Sequence, residues 1–236
     1  MKNMTMMQHF AELRRRILWI IAVFMGALVL GWYVSPMVQT FLTAPLIKAW
    51  DGGMLLYSGL TDGLMIRLSL AATIALMVAI PVALWHLWAF VAPGLHRAER
   101  RFIWPCMVLS PVLFAAGVAF AFYVLFPFVF GFFIDLNESA PVPAVLMPAA
   151  REYLSFTIGM LKVFGCAFQL PLILVMLNRI GFLPRARVVA MRRYALVFIV
   201  IAAAVLTPPD VVSQVLLALP MWALFEMSLL FMRRDQ

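Results

Sequence analysis

Charge is what this chain has least of: Asp, Glu, Lys and Arg together make up 12% of its 236 residues. A water-facing surface draws on roughly twice that share, so a soluble globular domain is excluded. A mean hydropathy of +1.03 excludes it again. Cysteine is nearly absent. Cys106 and Cys166 stand inside apolar runs without ligand spacing and read as small buried residues, which removes a disulfide framework and a thiolate metal site. The three histidines, His9, His86 and His96, lie far apart with no companion at i+3 or i+4, so neither a metal nor any other cofactor is expected. No Gly-x-Ser-x-Gly elbow, zincin motif or phosphate-binding glycine loop occurs. Hydrolysis and ATP chemistry therefore have no residues to carry them, and the chain does not read as an enzyme.

What the sequence has in abundance is apolar runs. They fall at residues 17–34, 64–90, 102–133, 153–177, 194–206 and 211–232. Runs of about 20 apolar residues are the length a helix needs to cross a bilayer. The expectation is an all-α polytopic membrane protein, one integral membrane domain over residues 1–236, with six helices of which the last two are short. The fifth run is the extreme case: 13 residues reach about 20 Å against about 30 Å of hydrocarbon. It cannot cross unaided. The polar turn that follows, Thr207 to Gln214, contains Pro208, Pro209 and Asp210, and so belongs at the interface or inside protein. The first run lacks a small-x-small site after it and is not read as a cleaved signal.

Placing both termini on one side gathers 14 of the 18 basic residues there, among them Arg14, Arg15, Arg16, Arg97, Arg100, Arg187 and Arg192. The positive-inside rule makes that side cytoplasmic. The opposite side holds Asp51, Asp62, Asp135, Glu138, Glu152 and Asp210. The net charge of +8 thus reports topology and an affinity for anionic membrane lipid, not nucleic-acid binding. Two acids are embedded among the cytoplasmic arginines, Glu12 before Arg14-Arg15-Arg16 and Glu99 before Arg100-Arg101. One reading is local charge balance, Glu12 pairing with Arg15 or Arg16 along a helix. The other is a receptor for a cationic guest, each carboxylate taking a guanidinium in bidentate geometry while the surrounding arginines reject other charge patterns.

Several blocks in order carry a resemblance: His9-Phe10-x-Glu12-Leu13-Arg14-x-Arg16, then Trp88-Ala89-Phe90-Val91-Ala92-Pro93-Gly94-Leu95-x-x-x-Glu99-Arg100-Arg101, then Phe120-x-x-Tyr123-x-x-Phe126-Pro127. Tyr153-x-x-Phe156, Phe164-Gly165-x-x-Phe168-Gln169-x-Pro171 and Thr207-Pro208-Pro209-Asp210-x-x-Ser213-Gln214 continue it. From about residue 8 onward the chain resembles the TatC family, the multispanning subunit of the twin-arginine protein translocase. The resemblance implies six helices in a concave, cupped arrangement in the bacterial cytoplasmic (inner) membrane, with both termini cytoplasmic. It implies binding of twin-arginine signal peptides and cooperation with TatA- and TatB-type single-span proteins and with other copies of the chain. Export of folded proteins would draw on the protonmotive force. Carried onto this sequence, the signal-peptide positions are Glu12, Arg14, Phe90, Pro93, Glu99 and Arg100.

In the fourth run Ser155, Gly159, Lys162, Cys166 and Gln169 recur at helical spacing and would share one face, with Gln169 near mid-bilayer. Gln169 either hydrogen-bonds a neighbouring helix or, at a family position held by Glu or Gln, contacts a partner helix. Asp210 either caps the sixth helix or acts with Gln214, four residues on, in partner contact. Glu226 resembles a further family polar position. Prolines 81, 111, 127, 171 and 220 are expected to kink or end helices. An ion-coupled small-solute carrier using Gln169 and Lys162 is the alternative from another class.

Overall fold

A computed structural model describes residues 6–49, 54–91, 97–138, 147–206 and 211–233. Nine α-helices occur among them: α1 (Met6–Ala49), α2 (Asp62–Val91), α3 (Arg97–Phe120), α4 (Phe126–Glu138), α5 (Ala150–Ala167), α6 (Leu170–Arg179), α7 (Arg185–Ala190), α8 (Arg192–Leu206) and α9 (Val211–Phe231). Five helical stretches are long and apolar enough to cross a membrane: Phe10–Lys48, Asp62–Phe90, Ile103–Asn137, Ala150–Arg179 and Gln214–Phe231. The 15 residues of α8 reach only about 22 Å, whereas the 21 of α9 reach about 31 Å.

Proline chemistry explains where the observed helices depart from the apolar runs. The run at 153–177 is two helices, because Pro171 cannot donate to the carbonyl four residues earlier. The chain turns at Phe168 and Gln169, and Gln169 N–H bonds Cys166 O at 3.0 Å, three residues back. The stretch at 102–133 extends to 97–138 and is one residue per turn wider at Ala121–Leu125, where Phe126 N–H bonds Ala121 O in π-helical register just before Pro127. The first helix runs on past Pro36, far beyond residue 34, since the carbonyl that Pro36 leaves without a donor, Trp32 O, accepts from Ser35 Oγ (2.9 Å) and Arg67 Nε (3.3 Å). Pro81, Pro111 and Pro220 sit within continuous helices.

The chain forms two compact units. The first comprises residues 1–36 and 67–112. In it α1 and α2 run antiparallel, Arg16 meeting His86 and Trp32 meeting Arg67. Each helix buries a row of small residues, Ala27, Gly31 and Ser35 on α1, Ala71, Ala75 and Ala79 on α2. Such rows let backbones approach closely in apolar surroundings. A Cβ on Gly31 would lie 2.8 Å from Ala71 O, so nothing larger than hydrogen fits there.

The second unit comprises residues 37–66 and 113–236. Its core is aromatic: Phe41 stacks on Phe122 at 4.3 Å, and a chain of ring contacts runs Phe122, Phe126, Phe130, Tyr153. Tyr153 O–H donates to Leu42 O at 2.8 Å. The segment after α1 is stapled to the start of α5 by Leu56 N–H to Pro148 O and Ala150 N–H to Leu56 O. Asp62 closes the same region, accepting from Gly59 N–H (2.7 Å) and Ser58 Oγ (3.1 Å), with Arg151 at 3.9 Å. After α6, Gly181 at φ +74° terminates the helix, with Phe182 N–H on Leu177 O and Gly181 N–H on Asn178 O. That pair of bonds is the Schellman stop, and Pro184 follows it. Cys166 faces outward, contrary to expectation, and Cys106 is buried.

Candidate functional site

The site is built at the N-terminal end of the first unit, where α1 meets the last turn of α2. Glu12 and Arg16 are one helical turn apart on α1, and Arg16 donates to Glu12 Oε1 through both Nε, at 3.1 Å, and Nη2. The same guanidinium reaches α2, with Nη1 3.3 Å from His86 Nδ1 and Nη2 donating to Ala89 O at 3.3 Å. Ala89 lies in the last turn of α2, whose carbonyls lack helical donors, so a cation is favoured there. Arg16 is therefore held from two helices and fixes the position of Glu12.

The second carboxylate oxygen, Glu12 Oε2, is buried and has no hydrogen-bond partner among the described residues. The Glu12 side chain also lines a polar cavity of about 510 Å³, together with Ala11, Arg15, Arg16, Trp19 and His86. Beside it, sharing Arg16 and His86, lies a cavity of about 440 Å³ whose other walls are apolar, among them Ile17, Ile20, Leu84, Leu87 and Phe90. An unsatisfied acidic oxygen thus sits next to a greasy channel, a pairing suited to a peptide with a cation beside apolar side chains.

Of the expected signal-peptide residues, Glu12 and Phe90 come together across these adjoining cavities. Arg14 is exposed and lines neither. Pro93 lies outside the described residues, as do the side chains of Glu99 and Arg100, which fall in the first turn of α3. Of the intramembrane set, Gln169 is buried at the turn between α5 and α6, while Cys166, three residues earlier, is exposed. The break at Phe168 thus separates two residues that a continuous helix would have kept on one face. Gln214 donates to Val200 O at 3.1 Å, tying α9 to α8. Glu226 is half-buried and ion-paired with Arg192 at 2.7 Å. It lies 12 residues, about 18 Å, from Gln214 along α9. Asp210 lies outside the described residues. An apolar groove of about 740 Å³ runs beside the Gln169 turn, between Phe120, Phe128 and Phe168 on one side and Leu216, Pro220 and Met227 on the other.

Sequence reasoning missed Arg16 as the organiser, His86 as its partner and Arg67 altogether. Arg16 and His86 are 70 residues apart, so no local pattern joins them. Arg67 carried a usable signal, being an ionisable residue inside an apolar run.

The family profile described as "Sec-independent protein translocase protein (TatC)" matches residues 8–220. The chain is 37% identical to the Sec-independent protein translocase protein TatC of Escherichia coli K12, over 95% of its own length and 86% of the relative's. It is 36% identical to the protein of that name from Desulforapulum autotrophicum, over 94% and 82% respectively. It also superposes on the crystal structure of the twin-arginine translocase receptor TatC with a TM-score of 0.85, at 28% identity, covering 94% of this chain and 97% of that one.

Proposed function

Since the chain belongs to the TatC family of Sec-independent protein translocase proteins, we propose that it receives twin-arginine signal peptides where α1 meets α2, with Glu12 Oε2 accepting one arginine of the pair. The observation that carries this reading is the buried carboxylate oxygen without a partner among the described residues, on a side chain that lines the polar cavity adjoining the apolar one walled by Phe90. Leaving a charged oxygen unsatisfied is costly, and a guest guanidinium removes that cost. The apolar stretch that signal peptides carry then has a place to lie. Glu99 receives the second arginine, and Arg14, Pro93 and Arg100 are further signal-peptide positions.

The chain acts as a transport subunit with no catalytic chemistry of its own, and the family likeness favours this over a small-solute carrier. It crosses the bacterial inner membrane six times, α8 included, with both termini cytoplasmic. Gln169, Asp210, Gln214 and Glu226 serve assembly with TatA- and TatB-type single-span helices and with other copies of the chain. The apolar groove beside Gln169 offers such a helix a packing surface. Export of folded cargo draws on the protonmotive force.

The test is quantitative crosslinking of a twin-arginine precursor in membranes with equal expression. Glu99→Arg should cut binding severely and Glu12→Arg in the same direction, because each replaces a charge-assisted pair by repulsion in a basic surrounding. Glu12→Gln should be intermediate. A Lys-Lys precursor should bind the original chain less well, an ammonium lacking the planar fork. Undiminished binding of the Arg-Arg precursor by Glu12→Arg and Glu99→Arg would sink the assignment.

A further inference from the structure

Arg67 lies within the apolar run of α2, five residues after its start. Its environment is constructed by three features of α1. Pro36 lacks an N–H, so Trp32 O needs other donors and takes one from Arg67 Nε at 3.3 Å. The Trp32 ring lies under the guanidinium, with Cζ 4.6 Å from the ring centroid. Gly31 permits the close approach to Ala71 that brings these groups into register. The plane of the guanidinium is thereby set and its Nε used. Its two Nη groups have no acceptor, and no carboxylate lies within ion-pair distance, among the described residues.

Depth identifies what they face. Along α1, Trp32 is 16 residues from Arg16, about 24 Å; along α2, Arg67 is 19 residues from His86, about 28 Å. Those spans are close to the thickness of bilayer hydrocarbon, about 30 Å. With Arg16 at one polar boundary, Arg67 is at the other, at the level of the opposite leaflet's headgroups. A cation held there needs an anion, and a forked pair of N–H donors matches two oxygens of a phosphodiester.

We propose that Arg67, oriented by Trp32, binds the phosphodiester of an anionic phospholipid on the leaflet opposite the Glu12 site. Trp32 supplies the aromatic wall and Arg67 the fork. An anionic lipid is preferred over a zwitterionic one because a choline or ethanolamine cation would be brought beside the guanidinium.

Native mass spectrometry of the detergent-solubilised chain, titrated with dioleoylphosphatidylglycerol, tests this. Arg67→Gln should weaken the tightest lipid adduct by about tenfold or more, and Trp32→Leu, which leaves the charge but frees its orientation, by a smaller factor. Arg193→Gln, an exposed arginine at the start of α8, should retain that adduct. Dioleoylphosphatidylcholine should bind the original chain more weakly, and excess inorganic phosphate should not displace the lipid. Equal retention by Arg67→Gln and the original, or equal loss in Arg193→Gln, overturns the proposal. Displacement by inorganic phosphate overturns the lipid as the source of the anion. Should Arg67→Gln melt below the original in lipid-free detergent, Trp32→Leu decides, and unchanged retention there counts against the proposal.

Discussion

The two oxygens of Glu12 have different fates, one clasped by Arg16 and the other buried without a partner among the described residues. The charge-balance reading of this acid holds for one oxygen, which pairs with Arg16 as the sequence allowed, and the receptor reading, which we propose, draws on the second. Gln214 ties α9 to α8 through its amide nitrogen, which donates to Val200 O, and its proposed role is in partner contact. Gln214→Leu should leave the protein inserted and still able to crosslink a precursor, while export falls. Loss of precursor crosslinking with partner association intact would reverse that division of labour. Glu12 and Phe90 were legible as candidate site residues because motif blocks mark them. Arg16 and His86 were not legible as a pair, because their meeting depends on the antiparallel register of α1 and α2, which is set by small residues elsewhere.

Elements were legible where hydrophobicity alone decides them. α2 was expected at 64–90 and runs Asp62–Val91; α9 was expected at 211–232 and runs Val211–Phe231. They were misjudged where proline meets a compensating donor. The first helix was expected to stop at residue 34, yet it continues past Pro36 because the orphaned Trp32 carbonyl finds Ser35 and Arg67. The fourth run was read as one helix and breaks where Pro171 finds no such help. The α1–α2 register gives a direct test. Gly31→Val should lower stability by about 1–3 kcal/mol through forced separation of the helices, read as a fall in the detergent melting midpoint. Gly26→Ala, where a Cβ meets nothing within 4 Å, should instead be neutral or stabilising by about 0.5–1 kcal/mol. Equal effects at the two positions would remove the close-approach argument.

At the scale of the whole molecule the arginine bias makes a claim about sides. Single cysteines introduced at Tyr57 and Asp135 should react with an impermeant thiol reagent added outside intact cells, and one at Arg187 should not, in a background where Cys106 and Cys166 are replaced. Reaction at Arg187 from outside would invert the topology and remove the Glu12 cavity from the cytoplasm. The length of α8 has a further consequence for the bilayer itself. Its 15 residues reach about 22 Å, and its outer face, including Val197, Phe198 and Ile201, is apolar and exposed. On the proposal that α8 crosses the membrane, about 30 Å of hydrocarbon leaves a hydrophobic mismatch of about 8 Å, and at a fraction of a kcal/mol per Å the lipid along that edge would be elastically deformed by a few kcal/mol. The protein should therefore melt at higher temperature in vesicles of short-chain lipid than in long-chain ones, and it should gather short-chain lipids along α8.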